Sequence, residues 1–317
     1  MTAMDVNTGQ LFEDVERVAW VFPGQGSQTV GMGKTLYEAY PQIRELYDRA
    51  DSVLGRPLTS VCFEGPAGEL QLTINAQPAL LVTGLAHLEA LRLRYPGQFD
   101  RARFVAGHSL GEYTALVASG VLSLDNGLRL VAERGRLMHE AGSALGQPTG
   151  MAAVLGLDEH EVARLCEQAG LDLANLNAPG QVVISGPLEA LELAGSLARE
   201  RGARRVMPLQ VSAAFHSRWM RPMAAQFADF IARFDFDPPR IPVVANVTAR
   251  PVASEADIPR LLAEQTYSPV RWVESVQYMV GQGVNTFVEV GPGRVLSGLV
   301  KRIAPDAVVL ASEDLLK

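Results

Sequence analysis

The sequence predicts an α/β fold in which a large domain on a mostly parallel sheet is interrupted by a small inserted ferredoxin-like domain. Three observations predict it. Short apolar runs end in Gly or Pro turns and lead into helical patterns, the alternation that builds parallel sheets. One of those junctions carries Gly107-His108-Ser109-Leu110-Gly111. From Met151 the order changes to β-α-β-β-α-β, the split βαβ unit.

Residues 1–16 read as a loose leader. Residues 18–22 form an apolar strand ended by Pro23-Gly24, followed by the loop Gly24-Gln25-Gly26-Ser27-Gln28 and helices over about 33–54. Residues 71–77 look polar and turn-like, so Pro78 is expected to open a long buried helix in its first turn, where proline is tolerated. A strand over 102–106 and a helix over 110–119 flank Ser109, and a helix over 123–142 carries Glu133, Arg134 and Arg136. The small domain reads as strand 151–157, helix 158–169 with Asp158 as cap, two strand-like pieces within 175–185, helix 187–201 and strand 203–211. A helix from Arg218, a strand near 241–246, a helix over 269–281, a strand over 286–290 and a helix over 294–303 complete the large domain. The domains are therefore 17–147 with 213–317, and 148–212 between them.

The 317 residues are 48% hydrophobic and 20% charged, a globular composition with ample core. A net charge of −7 gives no electrostatic footprint for nucleic acid. The most apolar helical run, 79–91, is too short to span a bilayer and contains His87 and Glu89, so no membrane partner is expected. Cys62 and Cys166 lie far apart without metal-ligand spacing and read as reduced thiols in helices or core. With the acidic, polar stretch 5–16 in place of a signal peptide, they point to the cytoplasm. The five histidines form no cluster, so no metal site is expected.

Gly-x-Ser-x-Gly between strand and helix has the context of a nucleophile elbow: a sharp turn exposes the serine oxygen, and the helix N-terminus offers N–H groups to an oxyanion. The large domain is accordingly α/β-hydrolase-like. The alternative is a glycine-rich turn with an ordinary N-cap serine. A serine needs a base. His108 adjoins Ser109, but neighbouring side chains diverge at an elbow, so it packs or hydrogen-bonds under the turn. His216 lies in the loop Val211-Ser212-Ala213-Ala214-Phe215-His216-Ser217, where the small domain returns to the large one, and such junctions favour sites. His87 and His139 sit in helical patterns, and His160 reads as surface. From the residues alone Arg134 reads as a surface arginine paired with nearby Glu133 or Glu140.

Several separate motifs carry a resemblance over most of 18–303: Phe22-Pro23-Gly24-Gln25-Gly26-Ser27-Gln28, Gln77-Pro78-Ala79-Leu80, the block 107–120, Glu133-Arg134-Gly135, Asn177-Ala178-Pro179-Gly180-Gln181, Ala214-Phe215-His216-Ser217, Tyr267-Ser268-Pro269-Val270-Arg271-Trp272 and Glu289-Val290-Gly291-Pro292-Gly293. With these the chain resembles the malonyl-CoA:acyl carrier protein transacylase family, including free-standing polyketide synthase acyltransferases. The resemblance implies that Ser109 is the nucleophile and His216 its base. A backbone carbonyl near Gln265 would orient the histidine in place of a carboxylate. Gln25 and the Leu110 backbone N–H would form the oxyanion hole, and Gln77 would line the pocket. Arg134, 25 residues after Ser109, would grip the malonyl carboxylate with two parallel hydrogen bonds. Phe215, an aromatic residue before the histidine, leans towards unbranched malonyl and towards polyketide or related metabolism.

The implied reaction is ping-pong through malonyl-Ser109, from malonyl-CoA to the phosphopantetheine thiol of an acyl carrier protein. It needs no metal or bound cofactor, because the coenzyme A thioester is itself a substrate, and a monomer suffices. The acidic carrier would dock on basic residues near the cleft, with Arg204, Arg205 and Arg271 as candidates. Two rivals are a proofreading acyl hydrolase of the same fold, against which Arg134 argues, and a non-catalytic carrier-binding module, against which the full residue set argues.

Overall fold

The computed structural model describes residues 17–144 and 146–317; the leader expected over 1–16 lies outside the described residues. The chain opens with β1 (Val18–Phe22), α1 (Lys34–Ala39), α2 (Pro41–Leu54), α3 (Leu58–Glu64), α4 (Ala67–Gln71) and α5 (Thr73–Arg94). Then come β2 (Phe104–Gly107), α6 (Leu110–Ala118) and α7 (Leu124–Ala144). The next six elements are β3 (Thr149–Leu155), α8 (Glu159–Ala169), β4 (Asp172–Ala178), β5 (Gln181–Pro187), α9 (Leu188–Glu200) and β6 (Arg205–Pro208). The chain continues with α10 (Arg221–Ile231), β7 (Val243–Ala245), β8 (Arg250–Pro251), α11 (Ile258–Gln265), α12 (Trp272–Gly281), β9 (Thr286–Glu289), α13 (Val295–Ile303), β10 (Val308–Ala311) and α14 (Ser312–Leu315).

Six strands form one sheet in the order β10-β9-β1-β2-β7-β8, parallel except for the β7–β8 pair. Its four inner strands, β9, β1, β2 and β7, are buried on both faces, as βαβ crossovers require. Val18, Trp20 and Phe22 of β1 point into one core with α5 and α6, while Ala19 and Val21 point into another with α12 and α13. The register Val21↔Ala106 and Phe22↔Gly107 brings the ends of β1 and β2 level, so the loop after each opens at the same edge. Four antiparallel strands form the second sheet, β4-β5-β3-β6. One face (Val154, Val182, Ile184) packs on α8 and α9, and the other (Met151, Ala153, Val183) joins the large core. Backbone bonds stitch the parts together: Leu176 N–H donates to Val270 O and Val270 N–H to Ala174 O, each at 2.9 Å. Asp158 caps α8 as expected, accepting from the Glu161 N–H at 2.8 Å.

The helix expected to open at Pro78 opens at Thr73 instead, so Pro78 lies inside it. An interior proline leaves the carbonyl four residues back without its donor. Here that carbonyl belongs to Ile74, and Arg56 Nη2 donates to it at 2.6 Å. Stretch 71–77 is polar because Asn75 and Gln77 are buried and bonded, not because it is a turn. Cys62 in α3 and Cys166 in α8 are buried free thiols, and burial pushes both up to about 12, which makes them inert. No helix among the described residues is long and apolar enough to cross a membrane.

Candidate active site

Ser109 sits between β2 and α6 with φ 51° and ψ −106°, a strained conformation for a residue with a side chain. Glycines on both sides permit it. A Cβ on Gly107 would lie 1.9 Å from the Gly111 backbone, and one on Gly111 would lie 2.0 Å from Phe22 O. The strain is held from the neighbouring strand. Asn246, just past β7, accepts from the Ser109 N–H through Oδ1 at 2.8 Å and donates to Gly107 O through Nδ2 at 2.6 Å. Asn246 is in turn fixed by Glu112, whose Oε2 accepts its N–H at 3.1 Å. Burial pushes the Glu112 carboxyl up to about 7.

His216 also has a positive φ, 57°, and is almost fully buried. Its Nε2 lies 2.7 Å from Ser109 Oγ. Its Nδ1 faces two carbonyls, Gln265 O at 2.8 Å and Ser268 O at 3.2 Å. Carbonyls only accept, so Nδ1 carries the proton and Nε2 is left to accept the Ser109 hydroxyl. Burial and then the Arg134 charge push its pKa down to about 3, which keeps the imidazole neutral near neutral pH.

Arg134 on α7 is 1% exposed, so the reading as a surface arginine does not hold. Arg136 takes both Glu133 and Glu140. Arg134 instead donates to Gln77 Oε1 at 2.8 Å through Nη1, and to Gln265 Oε1 and Ser109 Oγ at 3.1 Å each through Nη2. Its guanidinium lies 5.3 Å from the Tyr113 ring centre. Among the described residues it has no carboxylate within salt-bridge distance, and its buried Nε has no partner. The Glu112 carboxyl acts on it only from beyond that distance, and a buried cation whose hydrogen-bond partners are all neutral is matched to an anionic guest.

A cavity of about 370 Å³ opens over these groups, lined by Gln25, Leu110, Phe215, Met151, Asn175 and Leu209 among others. The Leu110 N–H opens α6, where the first amides have no intrahelical acceptor. Gln25 is half-buried with Nε2 donating to Thr73 Oγ1 at 3.2 Å. Thus Ser109, His216, Arg134, Leu110, Gln25 and Phe215 meet in one cleft, while Gln77, expected to line it, and Gln265 do not line it: both are fully buried and accept from Arg134. His108 is half-buried and lines the same cavity, its Nε2 hydrogen-bonded to Asn177 Oδ1 of β4 at 2.7 Å rather than to the Ser109 hydroxyl. Arg271 is paired with Glu274, whereas Arg204 and Arg205 are exposed. Reading the sequence missed Asn246 and Glu112. The available signal was a polar residue at the C-terminal end of the strand next to the elbow, the edge where α/β sheets place ligands.

Fold and cleft together define an α/β enzyme of the acyl-transfer class. The chain belongs to the acyl transferase domain family, whose description matches residues 19–309, and within it to the malonyl-CoA:acyl carrier protein transacylases. It is 46% identical over 305 residues to the malonyl CoA-acyl carrier protein transacylase of Bacillus subtilis, covering 95% of this chain and 94% of that protein. It is 43% identical to the polyketide biosynthesis malonyl CoA-acyl carrier protein transacylase PksC of the same organism, over 92% of this chain and 98% of that one. The solved malonyl-CoA:acyl carrier protein transacylase of Xanthomonas oryzae pv. oryzae superposes with a TM-score of 0.88 at 44% identity, covering 93% of this chain and 94% of that chain.

Proposed function

We propose that the protein moves a malonyl group from malonyl-CoA to the phosphopantetheine thiol of an acyl carrier protein, with malonyl-Ser109 as the intermediate. Ser109 Oγ attacks the thioester carbonyl while His216 Nε2 takes its proton. The oxyanion is received by the Leu110 N–H and by Gln25; losing one such donor costs about 10²–10³ in rate. Coenzyme A leaves as a thiol with the proton from His216, and the carrier thiol reverses the steps. No metal or redox group enters these steps. The observation that carries the substrate class is Arg134, buried with only neutral partners and 3.1 Å from Ser109 Oγ. Charge-assisted hydrogen bonds from it are worth about 1.5–3 kcal/mol each to a malonyl carboxylate. A hydrolase of acyl groups without a carboxylate has no use for such a cation.

Phe215, 5% exposed at the cavity wall, favours unbranched malonyl over a branched extender. The relatives named for this reaction, one of them in polyketide biosynthesis, support both the donor and the carrier. Arg204 and Arg205 are the exposed cations offered to an acidic carrier. We place the reaction in the cytoplasm, carried out by a monomer. Malonyl-CoA is expected to add one malonyl mass to the intact protein, mapped to Ser109, and none to Ser109→Ala. Labelling that persists in Ser109→Ala would remove the proposed nucleophile.

A further inference from the structure

We infer that Arg134 is also a lock on the nucleophile, opened by the carboxylate of the acyl group it selects. The inference rests on the malonyl-transfer reading above. Ser109 Oγ has two partners, His216 Nε2 at 2.7 Å and Arg134 Nη2 at 3.1 Å. Because Nδ1 of His216 donates to the Gln265 and Ser268 carbonyls, Nε2 accepts the Ser109 hydroxyl. The guanidinium N–H is therefore donated into an Oγ lone pair. A lone pair held by a cationic donor is a weaker nucleophile, since attack must break or share that bond.

The same cation works against the base. Proton transfer to His216 creates an imidazolium beside the guanidinium, and like charges oppose it. A carboxylate bound at Arg134 relieves both effects. It competes with Oγ for the guanidinium hydrogens, and its negative charge offsets the positive one facing His216. The guanidinium stays in place meanwhile, because its bonds to Gln77 through Nη1 and to Gln265 through Nη2 do not depend on Oγ. Discrimination against acyl groups without a carboxylate then acts on the reactivity of Ser109, beyond any difference in binding.

The test separates the carboxylate from the acyl group. Acetyl-CoA supplies a neutral acyl group and formate a detached carboxylate; together they fill about the room of one malonyl group. In the reaction followed, the Ser109 Oγ–C bond forms as the acetyl C–S bond breaks. The hydroxyl proton passes through His216 to the departing thiolate. Acetyl-Ser109 is measured by intact mass against time, with chloride at equal ionic strength as the reference. The lock predicts that formate speeds acetylation of the wild type saturably, by about tenfold, the scale of one charge-assisted hydrogen bond. Chloride gives no such increase, and Arg134→Ala is acetylated without any response to formate. Formate that slows wild-type acetylation, or leaves it unchanged, overturns the lock; this arm needs no variant to fold. If malonyl-CoA labels Ser109 normally while acetylation ignores formate, the lock falls and the transfer reading stands. If malonyl-CoA fails to label Ser109, the transfer reading falls with it.

Discussion

The parallel sheet brings Ser109 to the cleft from the end of β2 and Asn246 from just past β7, and a loop and the end of α11 in the same large part bring His216 and Gln265. The antiparallel sheet brings Met151 and Asn175 to line the same cavity, and Asn177 to hold His108. None of its residues hydrogen-bonds the Ser109 side chain among the described residues. The difference follows from how the two sheets are built. Parallel strands buried on both faces end level with one another, so polar groups at their C-terminal ends converge at a rigid edge. The small sheet offers a face rather than an edge, and a face makes a wall. The large part should therefore govern kcat, and the small part KM.

The largest effect expected from this contrast is at His216. His216→Ala should slow acylation by about 10²–10⁴, the usual contribution of a general base, while circular dichroism stays native. His108→Ala should act mainly through stability, since its ring bonds Asn177 and packs edge-on against Trp272, 5.7 Å between ring centres. A folded His108→Ala that is inactive, beside an active His216→Ala, would reverse the two assignments.

A smaller effect is expected across the seam. Asn177→Ala deletes the bond between β4 and the elbow histidine, and one such bond is worth about 1 kcal/mol. KM should rise by up to about fivefold and kcat change by less than about twofold, the signature of lost uniform binding. A fall in kcat comparable to that of His216→Ala would place chemistry on the small sheet and end the contrast.

Much of this arrangement was legible in local signals. Gly107 and Gly111 announce a turn too tight for side chains, the apolar run before Ser109 is a strand, and the Asp158 cap sets the start of α8. His216 stood out because it lies where the chain crosses between the parts. What stayed hidden depends on contacts distant in sequence. Pro78 inside α5 is tolerable only because Arg56 reaches Ile74 O. Asn246 and Glu112 carry no spacing signature; they matter because β7 lies beside β2. The strand β10 is four residues long and mostly half-exposed, too short to show alternation, yet it closes one edge of the sheet. Arg134 was ambiguous because Glu133 and Glu140 lie nearby in the sequence, but three- and four-residue helical spacing gives both of them to Arg136.

The central claim is that one buried cation sets the substrate class, and the ratio of kcat/KM for malonyl-CoA to that for acetyl-CoA in Arg134→Ala tests it most directly. Removing Arg134 leaves the malonyl carboxylate desolvated without a partner, whereas acetyl loses nothing. Malonyl transfer should fall by about 10²-fold or more while acetyl transfer holds or rises, so the preference inverts. An equal loss for both substrates, or an unchanged ratio in a folded variant, would contradict the claim.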